Sequence, residues 1–282
     1  MHFATPLLPI QAGLWAKAEF CNPTGSVKDR AAVYLLDDAE KRGKLAPGGT
    51  VIESTSGNMG IALAALCKAR GYGCILTMPA SMSRERQQLL ASYGATVVLT
   101  PGHLGMAGAS AAAAELLQQI PGSFQPMQFE NPANALAHYC TTGPEIWQQT
   151  GGKVAVFVAG VGTGGTLTGT ARFLKEQNTN IRIVAVEPAG SPLLSQGWSG
   201  NHDIQGIGAN FVPQVLDRQF IDQVIAVSEE AAFATAKQLG AMGIPAGISA
   251  GANVYAAQLA TGGACTVTIL PDHKDRYTSL GL

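Results

Sequence analysis

Val154-Ala155-Val156-Phe157-Val158-Ala159 runs into Gly160-Val161-Gly162-Thr163-Gly164-Gly165 and then into a helix-like stretch from Thr166 to Gln177. An apolar run without polar alternation predicts a strand buried on both faces, and the glycines predict a tight turn into the helix. The same unit recurs outward from this point. Upstream, Thr50-Val51-Ile52-Glu53 reads as a strand and Asn58 to Ala69 as a helix. Cys74 to Met78 and Ala95 to Thr100 are further strands, with Ser83 capping one helix and Met106 to Gln119 forming another. Downstream come strand Ile181 to Val186, helices Glu229 to Met242 and Ala250 to Leu259, and strand Thr266 to Leu270. Short strands each followed by a helix predict an α/β fold of mainly parallel sheets covered by helices. Pro121, Pro126, Pro132 and Pro144 interrupt the alternation. The break predicts two lobes, a smaller one over 35–140 and a larger one built from 1–34 plus 141–282.

Bulk properties narrow the partners. The chain of 282 residues is 46% apolar and 13% charged with net charge −1, a composition for a compact enzyme and not for a disordered chain. Near-neutral charge and few aromatics give no reason to expect nucleic acid or an anionic membrane surface. No apolar run reaches the roughly 18 residues of a spanning helix. The start, Met1-His2-Phe3-Ala4-Thr5-Pro6, lacks the pattern of a secretory signal. Cys21, Cys67, Cys74, Cys140 and Cys265 make no CxxC pair and no metal-like cluster with the histidines, so reduced thiols, a cytoplasmic setting and no metal are expected.

Three segments carry candidate chemistry. Asn22-Pro23-Thr24-Gly25-Ser26-Val27-Lys28 places a lysine among turn residues, just ahead of the apolar run Ala31 to Leu36. Thr55-Ser56-Gly57-Asn58-Met59-Gly60 and Gly162-Thr163-Gly164-Gly165-Thr166 are glycine-rich turns that open helices, where free backbone amides attract anions. An amine with an anion cradle suits a cofactor that bears an aldehyde and a phosphate, pyridoxal phosphate (PLP). Gly160 to Gly165 also fits G-x-G-x-x-G, and the following strand ends in an acid, Glu187, as a nicotinamide dehydrogenase would require. Against that, the loop lies mid-chain, and the hydroxyls of Thr163 and Thr166 suit a terminal phosphate better than a bridging pyrophosphate. Taken alone, the loop fits both.

Together these segments resemble the cysteine synthase (O-acetylserine sulfhydrylase) family of PLP enzymes. Gln128-Phe129, Asn131 to Asn134, Thr141 to Trp147, Gln205 to Ala209 and Gly247 to Gly251 also look like that family, in its order, from about Thr5 to Tyr277. The resemblance implies a tryptophan-synthase-β fold (PLP fold type II), usually a homodimer, with the cofactor in the cleft between lobes. It implies Lys28 as the Schiff-base and proton-transfer lysine, and Gly162, Thr163, Gly164, Gly165 and Thr166 as the phosphate loop. Asn58 would bond the cofactor ring oxygen, while Thr55, Ser56, Gly57, Met59, Gln128 and Gly208 would form the substrate site. The implied reaction is β-replacement, turning O-acetyl-L-serine and sulfide into L-cysteine and acetate.

Departures from the family pattern mark what is particular to this chain. Met59 stands where the family usually has threonine; Thr-Ser-Gly-Asn-Met also resembles the β-cyanoalanine synthase branch, and methionine equally suits an apolar gap. Pro271-Asp272-His273 aligns with a segment expected to face the pyridine nitrogen, with Asp272 in that place and His273 the alternative. Thr141 to Gly152 looks like the thiosulfate-using branch. A non-catalytic role, as a binding partner of serine acetyltransferase, is the alternative from a different class.

Overall fold

A computed structural model describes residues 4–55 and 57–280. In chain order it contains β1 (Leu7–Gln11), β2 (Leu14–Ala18), α1 (Lys28–Lys41), β3 (Thr50–Ser54) and α2 (Asn58–Arg70). Then come β4 (Gly73–Pro79), α3 (Arg84–Ser92), β5 (Thr96–Thr100), α4 (Gly105–Gln119), α5 (Ala133–Cys140) and α6 (Thr142–Gln149). The remainder is β6 (Val156–Gly160), α7 (Gly165–Gln177), β7 (Arg182–Pro188), α8 (Leu193–Gln196), β8 (Gln223–Val227), α9 (Glu229–Ala241), α10 (Ile248–Ala260) and β9 (Thr266–Leu270). The chain divides into two compact units, 1–30 with 134–282, and 31–133. Both boundaries fall a few residues before those expected.

The first unit holds a six-stranded sheet in the order β1-β2-β9-β6-β7-β8, parallel except for the β1–β2 hairpin at one edge. Its strands are apolar on both faces for a visible reason. Val156, Val158, Val184 and Val186 pack into a core with α9 and α10, whereas Phe157, Ala159, Ile183 and Ala185 pack into another with α7. Successive side chains point to opposite faces, so a sheet covered on both sides needs apolar residues at every position. The hairpin and β8 are not among the expected strands, although β8 carries the apolar run Val224 to Val227.

The second unit has the parallel sheet β3-β4-β5. Val51, Leu76 and Met78 pack with Leu35 and Leu36 of α1 and with Ile61 and Leu63 of α2. α4 covers the sheet as well: Thr77 Oγ1 donates to the Ala109 carbonyl at 2.7 Å. Beyond β3, Phe124 runs parallel to the free edge, its N–H donating to Thr50 O at 2.9 Å and its carbonyl accepting from Ile52 N at 2.9 Å.

Candidate active site

Lys28 is the first residue of α1 and follows a turn closed by Gly25 N donating to Asn22 O at 2.8 Å. Val27 N donates to Pro271 O at 2.8 Å, and Ser26 bridges Asp272, which tie the turn to the end of β9. Two residues on, Arg30 is buried and bonds Glu19 at 2.7 Å and Glu145 at 2.6 Å. Glu145 also takes the buried Lys17 ammonium at 2.6 Å. Burial penalises charge on Glu19, yet Arg30 beside it prevails and holds the carboxyl below the usual range. These paired charges fix the start of α1 within the first unit. Burial lowers the Lys28 amine below the ordinary lysine value, an effect that the carboxylate of Asp272 partly offsets. A lysine so shifted keeps more of its free base, the form that attacks a carbonyl.

The loop after β6 meets the same cavity. Lys28, Gly162, Thr163, Gly164 and Thr166 all line one hollow, which is partly open to solvent. Gly164 caps α7 at φ +82°, a left-handed conformation that suits glycine. A Cβ on Gly164 would press on Leu216 at 2.7 Å, one on Gly165 would strike Asn134, and one on Gly162 would strike the Gly206 carbonyl. These glycines keep the backbone amides at the start of α7 close to whatever fills the hollow.

Behind the loop, α5 supplies two polar side chains. Asn134 Nδ2 donates to Thr163 Oγ1 at 3.0 Å, which leaves that hydroxyl its own proton to give. His138 Nε2 lies 3.2 Å from Thr166 Oγ1, and its Nδ1 lies 2.8 Å from Thr142 Oγ1. Burial, aided by the charges of Arg30 and Lys28, holds this imidazole well below its ordinary pKa, so it is neutral with one ring nitrogen donating and one accepting. No sequence signal singles out His138; it is found only once α5 is seen against the loop.

The same cavity tests whether pyridoxal phosphate suits these residues. Its loop offers helix-start amides and hydroxyls for a phosphate, and Lys28 offers an amine for an aldehyde. Asn253 donates to Ile269 O at 2.9 Å, and its buried carbonyl oxygen, without a partner among the described residues, faces Gly160 on the cavity wall. The fit is good.

Two expected residues sit elsewhere. Asp272 is 1% exposed and accepts the Tyr277 hydroxyl at 2.5 Å beside Gly247, while its neighbour Pro271 lines the cavity. Asp272 acts on Lys28 by charge and is not among the residues that line the cavity. His273 turns to Asp275 at 3.3 Å and to the ring of Phe20. Gly208, at φ +70°, donates to Val161 O and accepts from His202 Nε2, each at 2.9 Å; Gly206 and Ile207 line the cavity in its place. Glu187 caps α8, its carboxylate accepting from Leu194 N at 2.7 Å and from Ser195 N at 3.1 Å. That acid is thus committed to the fold, which removes the ribose contact a dinucleotide would need.

The remaining expected residues belong to the second unit. Gly57 caps α2, and its N–H donates to Thr55 Oγ1 at 3.3 Å. Asn58 is the first residue of the helix, which places its backbone N–H in the first turn at the helix start. Met59 is 1% exposed and packs in the apolar core with Leu63 and Leu76, so its side chain fills a gap and its backbone N–H alone can serve a ligand. Gln128 is buried and follows Met127, which has φ +53°. Ser56 lies outside the described residues.

The comparisons with known proteins agree with this geometry. The family model described as "Pyridoxal-phosphate dependent enzyme" matches residues 2–272. Proteins named cysteine synthase from several Staphylococcus aureus strains are 49% identical over 278 residues, covering 96% of this chain and 89% of theirs. The crystal structure of cysteine synthase from Entamoeba histolytica superposes with a TM-score of 0.94 at 38% identity, covering 99% of this chain and 87% of that one. That of an O-ureido-L-serine synthase gives 0.94 at 43%, with 98% and 91% covered. With an amine and a glycine-rich helix start lining one cavity, and a family match over nearly its whole length, the chain belongs to the pyridoxal-phosphate-dependent enzymes of the cysteine synthase type.

Proposed function

We infer that the chain is a cysteine synthase that converts O-acetyl-L-serine and sulfide to L-cysteine and acetate with pyridoxal phosphate as cofactor. The observation that carries this is the one cavity shared by Lys28 with Gly162, Thr163, Gly164 and Thr166. When bound, the cofactor supplies an electron sink for the bond at the substrate's α-carbon. The protein supplies the rest. Amides at the start of α7 and the hydroxyls of Thr163 and Thr166 bind the phosphate, with Asn134 and His138 holding those hydroxyls from behind. Lys28 Nζ, its free base favoured by burial, takes the α-proton from the substrate and later returns it. Thr55, Ser56, the amides of Gly57, Asn58 and Met59, and Gln128 bind the substrate carboxylate, and Asn58 also bonds the cofactor ring oxygen. Acetate departs from the β-carbon and sulfide takes its place, so one acetate leaves for each cysteine formed.

Met59 in the core gives no reason to prefer cyanide to sulfide. The reading extends to a cytoplasmic homodimer, with serine acetyltransferase as the protein partner to test first. Among the described residues no helix is long and apolar enough to cross a membrane. The deciding experiment supplies the holoenzyme with O-acetyl-L-serine, then sulfide, thiosulfate or cyanide, and measures acetate and the amino-acid product. Equal amounts of acetate and cysteine, fastest with sulfide, are expected; a cofactor-loaded protein that releases no acetate would refute the reading.

A further inference from the structure

Glu53 ends β3 as a carboxylate 4% exposed, with no lysine or arginine paired to it among the described residues. Such a charge must be met by hydrogen bonds. Its Oε1 accepts from Ser54 N at 3.0 Å and lies 3.5 Å from Gln125 Nε2. Its Oε2 accepts from Met127 N at 3.1 Å, and the backbone of Gln128 also donates to it. The carboxylate therefore joins the end of β3, which leads directly into Thr55, to the turn that bears Gln128. That turn is strained: Met127 has φ +53° without being glycine, and its carbonyl accepts from Glu130 N at 3.0 Å and Asn131 N at 2.9 Å. Met127 is also exposed, so core packing does not force its conformation.

We propose that Glu53 is a positioning residue that clamps the Met127–Gln128 turn beside the Thr55–Asn58 turn, so that both halves of the carboxylate-binding site keep one geometry. The proposal deepens the functional reading above and rests on its assignment of the substrate carboxylate to these two turns. Both turns follow the carboxyl ends of neighbouring segments of one sheet, the usual place for a ligand site in parallel α/β proteins. Glu53 itself touches no substrate. Backbone amides use up its oxygens, and its effect passes through the backbone.

The test uses the holoenzyme carrying Glu53→Gln, which keeps the shape but turns an amide group toward one set of backbone donors. Loss of a charge-assisted hydrogen bond is expected to raise KM for O-acetyl-L-serine roughly tenfold, while kcat stays within about twofold, the signature of lost ground-state binding. Amide hydrogen exchange at Met127 and Gln128 should quicken, and inorganic phosphate should bind the apoprotein as before. Met127→Asn, a residue that tolerates the left-handed conformation, should restore much of the KM when combined with Glu53→Gln. Glu53→Asp, which keeps the charge but shortens its reach, should show the same rise and serves if the glutamine variant fails to fold. Unchanged exchange with unchanged KM overturns the clamp, as does a raised KM that Met127→Asn leaves untouched. Faster exchange with unchanged KM, matched by a silent Gln128→Ala, overturns the proposal through the site assignment beneath it.

Discussion

Two glycine-rich turns open helices in this molecule, one in each compact unit, and they are built differently. At the phosphate loop, glycine is imposed by neighbours: the Gly206 carbonyl, Leu216 and Asn134 leave no room for a Cβ at Gly162, Gly164 or Gly165. Beside Gly57, no atom of the described residues lies within 4 Å of where its Cβ would stand, and the backbone of Gly57 is extended. The first turn is moulded from behind by side chains of α5. The second depends on the bond of Thr55 to Gly57 N and on a carboxylate one strand residue away. On the proposed function the difference has a use: a cradle for a phosphate that stays bound would gain from rigidity, whereas a turn that admits and releases substrate at each turnover would have less need of it.

The largest effect that can sharpen this contrast is at Lys28. Lys28→Ala should lower turnover by roughly 10²–10⁴-fold, the range for loss of a positioned proton carrier. The phosphate loop should still bind the cofactor, now without borohydride-stable attachment. Mass spectrometry after reduction and a cofactor-binding titration check both. A variant that no longer binds the cofactor at all would mean that the loop contributes little alone.

Next in size is a matched pair of substitutions. Gly164→Ala forces a left-handed alanine, at about 1–2 kcal/mol, and adds the collision with Leu216, so cofactor Kd should rise at least tenfold. Gly57→Ala should leave cofactor affinity and Tm nearly unchanged, within about 0.5 kcal/mol. Equal losses at the two positions would erase the distinction between a moulded and an open turn.

How far these regions could be read beforehand follows the same physics. The strands of the first unit were legible because both faces are covered, so Val154 to Ala159 and Thr266 to Leu270 announce themselves. α5 and α6 were hidden by prolines. Pro144 reads as a break, yet it is the third residue of α6, in the first turn where its missing N–H costs nothing. Lys28, the phosphate loop and the Thr55 turn were visible as local motifs. Asn134 and His138 were not, in their roles, because what matters is which loop they back, and that is set by packing across the chain. Asp272 was expected beside the cofactor ring; it acts on Lys28 by charge, while its neighbour Pro271 is the one that lines the cavity.

A smaller effect, read as a shift along the pH axis, concerns the charge near Lys28. Burial lowers the lysine's pKa and Asp272 works against that, so Asp272→Asn should lower it further. In the apoprotein, labelling of Lys28 by a neutral acylating reagent, followed by peptide mass spectrometry, should rise at lower pH in the variant than in the parent. The linkage has a definite sign. A depressed folded-state pKa means that the unfolded chain binds more protons between that value and 10.5, so this group adds stability as pH rises through the window. A shift in the opposite direction would show that Asp272 does not act on Lys28 as a negative charge.

The smallest expected effect falls on the open turn, at Met59. Its side chain is sealed in the core with Leu63 and Leu76, so Met59→Leu is a near volume-conserving swap and should cost less than about 1.5 kcal/mol. KM for O-acetyl-L-serine should stay within about twofold, because the backbone N–H persists whatever the side chain. Met59→Thr should cost more in stability, since it empties core volume and buries a hydroxyl, but no new substrate contact should lower KM. Were Met59→Thr to lower KM severalfold, the side chain at 59 would have to reach the substrate, and the helix start would have to turn relative to the core that now encloses it.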